Sequence, residues 1–155
     1  MKKIRILLTL SMLLLVPAKE VSAEEKVEVP EAVIELSEEI GERYCICPEL
    51  LQAMAWRESR FNPEAVNGSC IGIMQVSERW HRDRMERLGV TDLTDMRQNM
   101  LVATDYLAEL AKKHGDLDIV LMVYNGDSRA GTGIVSEYAE SIMALSAELE
   151  QLNGK

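Results

Sequence analysis

The segment Pro48-Glu49-Leu50-Leu51-Gln52-Ala53-Met54-Ala55-Trp56-Arg57-Glu58-Ser59 constrains this chain more than any other stretch. Leu51, Met54, Ala55 and Glu58 fall at i, i+3, i+4 and i+7, one face of an α-helix. That face is apolar up to its last member, where a carboxylate replaces the expected hydrophobe. Burial there disfavours the charged form, and the negative end of the helix dipole acts in the same direction. A carboxylic acid that keeps its proton near neutral pH can serve as a general acid. Periodicity alone leaves a plainer alternative open: the helix is rotated slightly, and Glu58 is solvated or paired with Arg57 or Arg60.

The rest of the chain reads in the same period. Pro30 opens an amphipathic helix with Val33, Ile34, Leu36, Ile40 and Tyr44, weakened locally by Gly41. Pro48 suits the first position of the next helix, and Asn62-Pro63 stops it. Asn62 to Cys70 reads as a loop with a turn at Asn67-Gly68. Ile71 to Val76 is too brief to assign by period. Ser77 can cap a helix that ends at Gly89. Asp95 and Gln98 resemble a capping box for a helix running to about His114, with Met100, Leu101, Ala103, Tyr106, Leu107 and Leu110 as its apolar face. Leu117 to Tyr124 is a further helix, ended by Asn125-Gly126. Asp127 to Gly133 is a Gly-rich loop, and Ile134 to Leu152 is the last helix. No strand or repeat stands out, so the expected class is all-α, with about six helices.

Lys2, Lys3 and Arg5 precede an apolar run from Ile6 to Val16 and a small-residue site at Val21-Ser22-Ala23. Residues 1–23 therefore read as a secretory signal peptide, 24–30 as a short acidic linker and 31–152 as one helical domain. The expectation is an exported protein of the periplasm, cell wall or extracellular space. The whole chain carries 17 basic and 26 acidic residues, a net charge of −9. Removing residues 1–23 takes away Lys2, Lys3, Arg5 and Lys19 against Glu20 alone, so the remainder is more acidic still. Such a chain is poorly matched to nucleic acid or an anionic membrane. Cys45, Cys47 and Cys70 all remain, and export makes a disulfide from Cys70 to Cys45 or Cys47 plausible. A zinc site is disfavoured, because no fourth cysteine exists and neither His81 nor His114 stands at ligand spacing. No metal or other cofactor is expected.

Four motifs stand in order. Trp56-Arg57-Glu58-Ser59-Arg60-Phe61-Asn62-Pro63 holds the unusual carboxylate. Gly72-Ile73-Met74-Gln75-Val76 follows the loop, Val123-Tyr124-Asn125-Gly126 closes the fifth helix, and Ser136-Glu137-Tyr138-Ala139 lies in the last. Over about residues 36–145 this set resembles the soluble lytic transglycosylase catalytic domain, family 1 of the lytic transglycosylases. It is most similar to the small secreted members associated with secretion and conjugation systems. Asp95-Met96-Arg97-Gln98-Asn99 matches the family's helix start, with Met96 where Pro is usual. The loop Asp127-Ser128-Arg129-Ala130-Gly131 departs from its common Gly-Pro pattern.

The resemblance implies a lysozyme-like helical domain with a glycan-binding cleft, acting as a monomer on peptidoglycan glycan strands. Glu58 would be the single catalytic acid and base. Ser59 would bond back to its helix and orient Glu58 or the sugar. Met74 and Gln75 would line the cleft floor, Tyr124 and Asn125 would contact N-acetylmuramic acid, and Tyr138 would hydrogen-bond the Glu58 carboxyl. The residues themselves leave plainer roles open: Met74 as core, the two tyrosines as core aromatics, Asn125 as a helix cap. The implied chemistry is non-hydrolytic cleavage of the β-1,4 bond between N-acetylmuramic acid and N-acetylglucosamine, leaving a 1,6-anhydromuramyl end. A secretion or conjugation apparatus is the implied partner. Two alternatives stand beside this reading. One is a lysozyme-type hydrolase, with Asp83, Asp92 or Asp95 as second carboxylate. The other is a non-catalytic assembly protein of an envelope machine.

Overall fold

A computed structural model describes residues 26–155. The expected signal peptide, residues 1–23, lies outside the described residues. The described elements are helices α1 (Glu31–Tyr44) and α2 (Pro48–Ser59), strands β1 (Val66–Asn67), β2 (Cys70–Ile71) and β3 (Val76–Ser77), then helices α3 (Glu78–Leu88), α4 (Met96–His114), α5 (Leu117–Tyr124) and α6 (Glu137–Leu152). The six helices bear out the all-α class; the three short strands are an addition that the sequence did not reveal. They form one antiparallel sheet in the order β1-β2-β3, with Val66 opposite Ile71 and Cys70 opposite Ser77. Each strand has two residues, too few for an alternating pattern to show in sequence.

Helix α2 is the centre of the domain. Helices α1 and α6 pack on it from two sides, and α4 packs on α1 and α5. Residues Glu49 to Ala55 are therefore all buried, not only the face traced by Leu51, Met54 and Ala55. The core adds Val33 and Ile40 from α1, Met100, Val102 and Leu107 from α4, Val120 to Met122 from α5, and Ala139 and Ile142 from α6.

Gly41 has a packing role that helix propensity hides. An added Cβ would lie 2.6 Å from the Ile46 carbonyl oxygen, and the Ile46 N–H donates to the Gly41 carbonyl at 2.9 Å. The glycine lets the α1–α2 turn fold back onto the helix it leaves. Beyond the turn, the buried carboxylate of Glu49 accepts from Asn153 Nδ2 at 2.8 Å and Lys155 Nζ at 2.7 Å. These bonds outweigh burial and hold its pKa at about 2.

Three local expectations change. The cysteines are unpaired thiols. Cys47 precedes α2 and donates to Glu49 Oε2 at 3.1 Å, whereas Cys70 belongs to the sheet that follows that helix. Ser77 stands at the start of α3, but its hydroxyl makes no cap and instead lies 3.1 Å from Ser69 Oγ. Asp95 does cap α4, accepting from the Gln98 N–H at 2.8 Å. The reciprocal half of the box is absent, because Gln98 Oε1 accepts from the Thr91 and Asp92 N–H groups.

Candidate active site

Glu58 stands in the last turn of α2, where two left-handed residues, Arg60 (φ 55°) and Phe61 (φ 64°), stop the helix. Their N–H groups close it, Arg60 onto the Trp56 carbonyl at 3.0 Å and Phe61 onto the Ala55 carbonyl at 3.4 Å. The chain then passes through the sheet into the turn Gly72-Ile73-Met74-Gln75, which returns beside the helix end. Ser59 Oγ donates to the Ile73 carbonyl at 2.8 Å and lies 3.3 Å from the Ala55 carbonyl. Ser59 therefore ties the helix terminus to the turn.

Asn99 holds the same turn from α4. It is fully buried. Its Oδ1 accepts from the Met74 N–H at 2.9 Å, and its Nδ2 donates to the carbonyls of Ile71 and Leu93, each at 2.8 Å. A buried amide with its donors and acceptor engaged is rigid, because losing any bond would strand a polar group. Tyr124 holds the turn from α5, donating its hydroxyl to the Met74 carbonyl at 2.8 Å. Gln75 has φ 50°, and its Nε2 donates to the Gly72 carbonyl at 2.9 Å and the Ala65 carbonyl at 3.2 Å.

The Glu58 carboxyl points to α6, where the Tyr138 hydroxyl donates to Glu58 Oε1. Burial raises the Glu58 pKa, opposed by the Tyr138 hydrogen bond and the Arg57 charge. Burial and the Glu58 charge push the Tyr138 hydroxyl far above the phenol range, so it remains a donor. Tyr124 is pushed up in the same way, by burial and then by Glu58. Among the described residues, the neighbours that act on Glu58 are Tyr138 and Arg57, neither of them a carboxylate. Asp92 and Asp95 serve the Thr94 turn and the α4 cap, and Asp83 lines a separate recess with Arg79 and Arg82.

This geometry gives Tyr138→Phe a defined signature. Its O–H stabilises the carboxylate as Glu58 gives up a proton, and a hydrogen bond to a charged group contributes about 1.5–3 kcal/mol. Turnover should fall roughly 10- to 100-fold. Loss of the same bond removes an influence that lowers the Glu58 pKa, so the alkaline limb of the activity profile should move to higher pH. A pH–rate profile of the variant that kept the wild-type limb would refute this account of Tyr138.

The structure thus gathers Glu58 and Tyr138 at one point, with Ser59, Gln75 and Tyr124 around the adjoining turn. Met74 departs from expectation. Its side chain is 0 % exposed, so it is core, and it contributes to the site through its main-chain N–H and carbonyl. Asn125 is exposed at the C-terminus of α5. A groove of about 460 Å³ adjoins the turn, with Gln75, Trp80, His81, Arg84, Tyr106 and Tyr124 among its walls. Glu58 and Tyr138 are not among them. Tyr124 connects groove and acid, since it lines the first and feels the charge of the second.

Within the groove, His81 stacks on Tyr106 with ring centroids 4.7 Å apart. Burial and then the Arg84 charge lower the His81 pKa, which favours the neutral ring near pH 7. Trp80 is 75 % exposed. Sequence reasoning did not select Asn99, Trp80 or His81. Asn99 stood inside a recognised helix-start motif, yet nothing in that motif marks its amide as the anchor of a distant turn. Trp80 and His81 follow no periodic signal.

The transglycosylase SLT domain model matches residues 35–149. The chain is 34% identical over 97 residues to "X polypeptide" of Escherichia coli, covering 57% of each chain. The same values hold for "X polypeptide" of Escherichia coli strain K12. The matched region thus spans little more than half the length of these relatives. In structure, the chain is similar to an inactive mutant of the lytic transglycosylase Slt from Pseudomonas aeruginosa. The TM-score is 0.69 and the identity 15%, over 81% of this chain and 25% of that one. That likeness establishes the lysozyme-like helical fold, and the domain match over most of the chain establishes the family: the protein belongs to the transglycosylase SLT domain family.

Proposed function

We propose that this protein cleaves the β-1,4 bond between N-acetylmuramic acid and N-acetylglucosamine without water, leaving a 1,6-anhydromuramyl end. The observation that carries this reading is the setting of Glu58: a partly buried carboxyl with a raised pKa, hydrogen-bonded by Tyr138, with Tyr138 and Arg57 rather than a carboxylate as the neighbours that act on it among the described residues. Hydrolysis of a glycoside ordinarily uses two carboxyl groups, ~5–5.5 Å or ~6.5–9.5 Å apart. One suffices when the nucleophile is already part of the substrate.

The steps balance on Glu58. Its proton passes to the glycosidic oxygen, which leaves as the 4-hydroxyl of N-acetylglucosamine. The 2-acetamido oxygen of the muramyl sugar shields the positive charge at C1. The Glu58 carboxylate then takes the proton of the muramyl 6-hydroxyl, O6 bonds to C1, and the acid is restored. Both assisting groups belong to the sugar itself, so orientation does the work of further catalytic groups. The aromatic groove at Trp80, Tyr106 and Tyr124 is suited to bind the strand, with ring faces for the sugars. The Pseudomonas Slt mutant is inactive and carries a Glu-to-Gln change, which supports a carboxyl acid in this reading. The proposed setting is the cell envelope, after removal of residues 1–23, in local wall opening for a secretion or conjugation apparatus.

The test is digestion of purified peptidoglycan with mass spectrometry of the fragments. Anhydromuramyl ends are expected. Reducing ends, heavier by one water, would move the assignment to a hydrolase.

A further inference from the structure

A second groove opens between α2 and α6. It holds about 370 Å³, with Trp56, Arg57 and Arg60 on one wall, Ser141, Leu145 and Glu148 on the other. Its two arginines stand outside the ion pairs of the described residues, as do Arg43 and Arg79, which also lie over aromatic rings. Arg82, Arg84, Arg87, Arg97 and Arg129 all bond carboxylates. Arg57 and Arg60 have no carboxylate partner among the described residues and instead face aromatic rings. Arg60 Cζ lies 4.1 Å from the Trp56 ring centroid, and Arg57 Cζ lies 5.8 Å from that of Tyr138. Two guanidiniums are thus displayed over an apolar floor, beside the tyrosine that holds the catalytic acid, on a protein of net charge −9.

We propose that this groove binds the acidic stem peptide carried by the muramic acid at the bond being cut. The inference rests on the peptidoglycan reading above. Each muramic acid bears its peptide on a lactyl group, so cleavage at a muramyl bond brings a stem close to Glu58. The stem offers carboxylates for Arg57 and Arg60, methyl side chains for the Trp56 and Leu145 floor, and the ammonium of its diamino acid for Glu148. Arginine suits this task because its planar fork binds a carboxylate with two parallel bonds. The glycan then lies in the aromatic groove and its peptide in the basic one.

The first test titrates the free tetrapeptide stem, L-alanyl-D-glutamyl-diaminopimelyl-D-alanine, into the purified protein while the Trp56 indole N–H is followed by NMR. A saturating shift is expected, with affinity falling roughly tenfold in the double variant Arg57→Gln, Arg60→Gln. The double lysine variant, which keeps the charge but not the fork, should recover part of the loss. No shift at Trp56, or undiminished affinity in a folded double glutamine variant, would overturn the proposal.

The second test compares peptide-bearing strands with the same strands stripped by an amidase. The protein should cut the first roughly tenfold more efficiently, and the ratio should approach one in the double glutamine variant. Equal cutting of both strands by the unaltered protein sinks the peptide site and leaves the transglycosylase reading standing. Peptide binding without cutting of either strand does the reverse.

Discussion

Glu58→Gln should abolish product formation while leaving the fold intact. Glutamine keeps the shape of the side chain and can still accept from Tyr138, but it holds no transferable proton. General acid–base catalysis by a positioned side chain contributes about 10²–10⁴-fold, and here one group performs both proton transfers. The loss should therefore reach roughly 10³-fold or more, seen as the disappearance of anhydromuramyl ends.

Stability should respond with the opposite sign. The folded-state pKa of Glu58 is raised, chiefly by burial. The folded protein thus holds this proton more tightly than the unfolded chain does. Stability falls as pH rises through the ordinary carboxylate pKa towards the raised one. The glutamine variant escapes that loss, so its melting temperature should equal the wild-type value in acid and exceed it near neutrality. Retention of more than a tenth of the activity would remove Glu58 from its role. A melting temperature below wild type near neutral pH would contradict the burial argument.

Gly72→Ala should be the most damaging change outside the reacting atoms. Gly72 has φ +82°, a region that L side chains avoid, and an added Cβ would collide with Asn99 Nδ2 and the Leu93 carbonyl, with Asn99 Cγ at 2.7 Å. Neither neighbour can yield without cost. Asn99 is buried, and its amide bonds Ile71, Leu93 and Met74. Backbone strain, overpacking and stranded polar groups each contribute about 1–3 kcal/mol. Together they are on the order of 4 kcal/mol, a large part of a typical domain's stability. The melting temperature should fall by roughly 10 °C or more. Activity should fall further than unfolding explains, since the displaced turn carries the Ser59, Tyr124 and Gln75 bonds beside the acid. A variant melting within about 3 °C of wild type would show that the turn is softer than its hydrogen bonds indicate.

The sequence by itself determined the helices and marked Glu58 as the candidate acid. Their limits were legible because caps and breakers act locally: Gly89 and Gly115 end α3 and α4, and Asp95 starts α4. Glu58 was legible because a carboxylate breaks an apolar period that every other member of its face obeys. The order of four motifs identified the family, which the domain match over residues 35–149 establishes.

The tertiary structure alone decided how distant segments share work around that acid. It placed the Met74 side chain in the core and its carbonyl under Tyr124, because the turn is anchored by its backbone. It made Asn99 a buttress through bonds to residues 25 and 28 positions away. It left the three thiols unpaired and Arg57 and Arg60 facing aromatic rings. None of these follows from local periodicity, since each depends on which atoms from separate elements meet once the helices pack.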